Sequence, residues 1–145
     1  MTEANAEINA YRVLLVDDDE DDYVLTREML NKARKTQFGL AWAQSFQAGI
    51  EALRANPFDA ILIDYDLGQN SGIDFITQAT QSGYTQPMIL LTGRGGMETD
   101  LEAMQAGAAD YLNKGDINSS LLERSIRYAV ERKRARLALQ ESEER

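Results

Sequence analysis

Four short apolar runs limit what this chain can fold into, because each leads to a side chain able to handle metal or phosphate. VLLV at 13–16 runs into Asp17 and Asp18, and AILI at 60–63 into Asp64. MILL at 88–91 ends on Thr92, and the segment Asp110–Asn113 ends on Lys114. Short apolar runs bounded by turn formers read as strands buried on both faces, the pattern of parallel sheets. In open α/β sheets, ligands sit just beyond the carboxyl ends of such strands. Reactive side chains at four strand ends therefore point to one site.

Helix-like segments separate these strands. The first follows the acidic run Asp19–Asp22 and carries Tyr23, Val24, Met29 and Leu30, ending by Gly39. Acidic residues are favourable at that end because the helix dipole is positive there. Leu40–Ala43 is a weak second strand, and Ser45 caps a helix running to Arg54, which Asn56–Pro57 stops. A polar loop, 68–72, leads into a helix over 73–82, and Pro87 opens the fourth strand. The glycine-rich 93–96 turn precedes a helix over 97–106 that Gly107 closes, and Ala109–Asn113 forms the fifth strand. Asn118 or Ser119 caps a last helix from Ser120 to about Gln140. This order, (βα)₅, predicts an α/β fold: a doubly wound parallel five-stranded sheet with helices on both faces and right-handed crossovers. The expected division is a tail over 1–10, one domain over 11–130 and an extended C-terminal helix over 131–145.

Composition narrows the chemistry. The chain has no cysteine and no histidine, which removes disulfides, thiolate chemistry and the commonest general base and zinc ligand. Its net charge of −9 argues against direct nucleic-acid binding. The charge is uneven: residues 122–145 carry seven Lys/Arg against five Asp/Glu, leaving −11 for residues 1–121. No apolar stretch approaches the roughly 20 residues needed to span a bilayer, and the first residues do not read as a signal peptide. A cytoplasmic location is the expectation.

Asp17, Asp18 and Asp64 would crowd three carboxylates together. Two unit charges about 4 Å apart repel by roughly 4 kcal/mol at an effective dielectric near 20, so the cluster needs a counter-charge or a proton. A hard divalent cation satisfies it, and Mg²⁺ is favoured because it bridges carboxylates to phosphate. Lys114 adds a fixed positive charge and Thr92 a hydroxyl donor. Together they suit bringing phosphoryl oxygens against a carboxylate nucleophile.

With these residues in view, the chain resembles the receiver domain of two-component response regulators over about residues 11–130. The matching elements are VDD at 16–18, Asp64, Gly72, Thr92–Gly93, Tyr111 and Lys114, in that order. The resemblance implies a flavodoxin-like fold and a regulatory domain rather than a free-standing enzyme. It implies that Asp64 accepts a phosphoryl group from a phosphohistidine on a sensor histidine kinase or histidine phosphotransfer domain. It also implies that Asp17 or Asp18, Asp64 and the Asp66 backbone carbonyl hold Mg²⁺, that Thr92 and Lys114 contact the phosphoryl oxygens, and that Tyr111 turns inward as the switch operates. Two positions depart from the pattern. Gly115 follows Lys114 where the family usually has proline, so a trans peptide is expected there, and Gly68 stands where a proline often follows the phosphoacceptor.

Three rival readings compete. Asp17, Asp19, Asp21 and Glu28 match positions of a calcium-binding EF-hand loop, but Asp22 stands where that loop needs glycine. Asp64–Tyr65–Asp66 resembles the DxD nucleophile of haloacid-dehalogenase-type phosphatases, which would make the protein a Mg²⁺-dependent hydrolase. Gly93–Gly96 lacks the third glycine of a nucleotide loop. Tyr11, Trp42, Phe46, Phe58 and Phe75 read as core or near-core residues. The basic run Arg132–Arg136 on the last helix is similar to segments that join receivers to a further module. The expectation is an output module beyond residue 145 and helix pairing through 121–140 in a homodimer.

Overall fold

The computed structural model describes residues 9–93 and 97–144. Five parallel strands form one sheet: β1 (Asn9–Val16), β2 (Thr36–Ala43), β3 (Ala60–Asp64), β4 (Met88–Thr92) and β5 (Asp110–Asn113). Their spatial order is β2-β1-β3-β4-β5. The helices are α1 (Glu20–Asn31), α2 (Phe46–Ala55), α3 (Gly72–Gln81), α4 (Met97–Ala106) and α5 (Ser119–Glu144). The order reverses direction at β1, so the crevice between β1 and β3 is the topological switch point where such sheets bind ligands.

Alternation along the strands builds two cores. Leu14, Val16, Ile61, Ile63, Met88 and Leu90 join Ile50, Leu53, Phe75, Ile76 and Ala103 from α2, α3 and α4 on one face. Val13, Leu15, Leu62, Ile89 and Leu91 meet Leu30 of α1 and Leu122, Ile126, Ala129 and Val130 of α5 on the other. Every residue of β3 and β4 is buried, as an interior parallel strand requires. This is the doubly wound (βα)₅ arrangement expected from the sequence.

Local chemistry sets the boundaries. The Asp19 side chain caps α1 by accepting from the Asp21 N–H, and Ser45 caps α2 by accepting from Ala48. Ser71 and Asp74 form a reciprocal capping box at α3. Asn118, rather than Ser119, caps α5 by accepting from Leu121, whereas the Ser119 hydroxyl donates to the Met29 carbonyl and ties α5 to α1.

β2 starts at Thr36, four residues before the expected Leu40. Gln37 and Gly39 are exposed on this edge strand and interrupt its apolar run, which hides the start of the strand in the sequence. Thr36 is buried, and its hydroxyl is satisfied there by donating to Glu123, which also accepts from Arg127. A second feature was not anticipated: Asp66–Leu67 pairs antiparallel with Asn70–Ser71. The hairpin turns on Gly68, whose φ of +79° suits the first central position of a type II′ turn. Proline could not replace it, because its ring fixes φ near −65°. The EF-hand alternative fails here, since α1 begins at Glu20, within the stretch that would have to be a loop.

Candidate functional site

β1, β3 and β4 deliver Asp17, Asp64 and Thr92 to one edge of the sheet, and all three are buried. Asp17 follows β1 directly. Its N–H donates to the Ala43 carbonyl of β2 at 3.1 Å, and its Oδ1 accepts from the Asp19 N–H at 2.9 Å. Its carbonyl accepts from the Trp42 indole at 2.7 Å. Trp42 in turn lies flat on Tyr23 of α1, with ring centroids 4.4 Å apart and planes inclined by 4°.

Asp64 ends β3, the middle strand. Gly72 makes its backbone position possible. A Cβ on Gly72 would collide with the Asp64 carbonyl and come within 2.8 Å of Leu90, so only glycine lets α3 start this close to the strand end. Lys114 follows β5, and its N–H donates to the Thr92 carbonyl at 2.8 Å. The Lys114 ammonium lies 2.6 Å from Asp64 Oδ1, 2.6 Å from Asp22 Oδ2 and 3.6 Å from Asp17 Oδ2. The next turn is fixed without proline: the Gly115 N–H donates to the Asn113 side chain at 2.9 Å. No peptide bond among the described residues is cis, as expected for Lys114–Gly115.

Electrostatics at this edge are tense. Burial, reinforced by Asp64, raises the Asp17 carboxyl to about 6 despite the Asp19 hydrogen bond. Burial likewise raises Asp64, with Lys114 opposing the shift. Burial works to lower Lys114, but its hydrogen bonds to Asp22 and Asp64 and the field of Asp17 outweigh it and raise the ammonium pKa. A cleft of about 370 Å³ opens over the site, lined by Asp18, Asp19, Asp22, Asp64, Tyr65, Asp66, Thr92, Gly93 and Lys114.

These residues fit a hard divalent cation. One carboxylate oxygen from each of Asp17, Asp18 and Asp64 lies within 4.8 Å of the others. Asp17 Oδ2 is buried with no hydrogen-bond partner among the described residues. The Lys114 ammonium 3.6 Å away answers this oxygen only in part, and a buried carboxylate cluster of all-oxygen donors suits Mg²⁺.

Asp17, Asp18, Asp64, Thr92 and Lys114 thus meet at one edge, as their strand-end positions predict. Asp66 is exposed on the short hairpin at the cleft wall. Tyr111 lies on β5 with 37% of its surface exposed, facing outward. Of the 93–96 turn, only Gly93 falls within the described residues. Two contributors were missed. In the sequence Asp22 looks like one more charge of an acidic helix start, but in the first turn of α1 it faces Lys114. Trp42 was read as core, and nothing in a single sequence marks an indole N–H as aimed at a neighbouring strand's carbonyl.

A family model, the response regulator receiver domain, matches residues 13–126. The chain is 32% identical over 103 residues to the transcriptional regulatory protein QseB of Escherichia coli O157:H7, covering 71% of this chain and 46% of that protein. It is 33% identical over 116 residues to the acid tolerance regulatory protein ActR of Sinorhizobium medicae, covering 77% and 58%. The chain therefore spans about half the length of these curated relatives. Among solved structures, the signal receiver domain of an HD domain-containing protein from Pseudomonas fluorescens superposes with a TM-score of 0.77 at 22% identity, covering 88% and 99% of the two chains. Chemotaxis protein CheY4 from Vibrio cholerae superposes with a TM-score of 0.73 at 23% identity, covering 83% and 98%. Fold, site and sequence agree: the chain belongs to the receiver domains of two-component response regulators. Nothing in these comparisons supports the haloacid-dehalogenase alternative.

Proposed function

We propose that Asp64 is the phosphoacceptor of this receiver. The observation that carries the reading is the meeting of Asp64 with two further carboxylates and the Lys114 ammonium at the end of the middle strand. In this reading a phosphohistidine on a sensor kinase or phosphotransfer domain is the donor. Its P–N bond breaks as an Asp64 carboxylate oxygen forms the new P–O bond, and the departing imidazole takes a proton from solvent. Asp17, Asp18, Asp64 and the Asp66 carbonyl hold Mg²⁺, which when bound neutralises the carboxylates and the phosphoryl charge. Lys114 and Thr92 contact the phosphoryl oxygens.

The downstream surface is the 93–115 region with Tyr111. Moving a two-state element from 1:99 to 99:1 takes about 5.5 kcal/mol. One charge-assisted hydrogen bond from Thr92 supplies only about 1.5–3 kcal/mol, so Lys114 and Tyr111 burial act with it. Residues 131–145 then serve as a link to an output module, and pairing of α5 through residues 121–140 gives a homodimer. Light scattering with and without a phosphoryl mimic tests the pairing; a monomer in both states at high concentration refutes it. The same reading places the receiver in the cytoplasm, where a sensor kinase would phosphorylate it. No described helix is long and apolar enough to cross a membrane.

The primary test is incubation with Mg²⁺ and a small phosphodonor followed by intact mass. One phosphoryl addition to the wild type and none to Asp64→Asn is the expected result. A protein that never gains the phosphoryl mass would be a receiver that works without phosphorylation.

A further inference from the structure

We infer that Trp42 is a positioning residue for cation binding, acting through the peptide of Asp17. The inference rests on the proposed cation site and adds a residue that lies outside it. Asp17 is held from both ends of its own backbone by β2, the edge strand. Its N–H is fixed by the Ala43 carbonyl and its carbonyl by the Trp42 indole at 2.7 Å. The indole cannot swing freely, because its ring is stacked on Tyr23 and the Arg27 guanidinium lies 5.3 Å from the Tyr23 ring centre.

The consequence falls on one atom. Asp17 Oδ1 is engaged by the Asp19 N–H, which leaves Oδ2 as the buried oxygen without a hydrogen-bond partner among the described residues. Where Oδ2 points depends on the orientation of the Asp17 backbone. Releasing the carbonyl from the indole leaves a buried acceptor unpaired, and the Asp17–Asp19 turn gains freedom to seek another donor. Groups that orient a metal ligand from outside the ligand set typically control affinity by about 10–100-fold. Trp42 acts on the backbone rather than on the carboxylate itself, so the lower end of that range applies.

A packing role and a positioning role make different predictions. Packing needs only the rings, whereas positioning needs the N–H. Trp42→Phe keeps an aromatic ring against Tyr23 and removes the donor. Benzothienylalanine at the same position keeps the bicyclic shape and puts sulfur in place of the N–H. Tyr23→Phe is the control, since the stack does not use its hydroxyl.

Calorimetric titration of the full chain with MgCl₂ reads the outcome. Both replacements of Trp42 are expected to raise the Mg²⁺ Kd about tenfold, with Tyr23→Phe staying within about twofold of the wild type. A lower melting temperature with an unchanged Kd in the Trp42 variants overturns the inference and leaves Trp42 as packing alone. If Trp42→Phe does not fold, the benzothienylalanine protein decides by the same measure. A wild type that binds no Mg²⁺ at millimolar concentrations overturns the cation reading of the site, and this inference with it. Equal binding by all proteins removes only the role of Trp42.

Discussion

The two ends of the sheet carry similar residue types and treat them in opposite ways. At the amino ends, Asp59 accepts from the Arg12 backbone N–H at 2.8 Å and lies 3.7 Å from the exposed Arg134. Lys133 donates to the Thr85 carbonyl, and Arg134 also sits over the Tyr11 ring. These charges stay near water and find partners at little cost. At the carboxyl ends, Asp17 and Asp64 are buried beside each other, one with an oxygen that no hydrogen bond answers. Buried carboxylates crowded together weaken the fold unless a cation answers them. The contrast separates a surface arranged for folding from one arranged for chemistry.

The sharpest way to break that contrast is at Asp64. Asp64→Asn removes the proposed nucleophile, and intact mass should show complete loss of phosphoryl addition while the fold, read by circular dichroism, is retained. Next in size is Gly72→Val. Its side chain would drive into the Asp64 carbonyl and Leu90, and chemical denaturation should show a loss of about 3 kcal/mol or more.

Asp17→Asn should act in the opposite sense on stability. With Asp17 raised from 3.8 to about 6, the folded protein without cation binds protons more readily than the unfolded chain across that interval. Its stability therefore falls as pH rises through the window, and the penalty is fully present above it. At about 1.4 kcal/mol per pKa unit, the asparagine variant should be more stable by about 1–3 kcal/mol at neutral pH without Mg²⁺. The advantage should shrink as pH falls toward 3.8, measured by thermal melts of the two proteins side by side. A gap that does not change with pH would mean that Asp17 is not the group titrating. Arg134→Ala, at the other end of the sheet, should change stability by no more than about 1 kcal/mol, since its ion pair is solvent-exposed and its contact with the Tyr11 ring adds only about 0.5–1 kcal/mol.

Much of this was legible in the sequence because it obeys local rules. Strands buried on both faces appear as unbroken apolar runs, and the caps at Ser45 and Asn118 are short-range chemistry. The strand-end positions of Asp17, Asp64, Thr92 and Lys114 follow from the topology alone. What escaped depends on contacts between distant residues. The bond from Trp42 to Asp17 spans 25 residues and that from Lys114 to Asp22 spans 92, and neither has a periodic signature. The early start of β2 was hidden because an edge strand alternates weakly. The hairpin at Gly68 is two residues a side, too short for any pattern to register.

The length of α5 has a mechanical consequence. Its last buried residue is Val130, and Lys133 and Arg134 are its last side chains with a described partner. Beyond Arg134 the described residues of the helix are exposed. The ten residues from Ala135 to Glu144 form a rod of about 15 Å at 1.5 Å per residue. A tilt of about 10° about Arg134 would carry the far end of that rod by about 2.6 Å. A small change in the angle of the helix would thus be read at Glu144 as a shift of about one hydrogen-bond length.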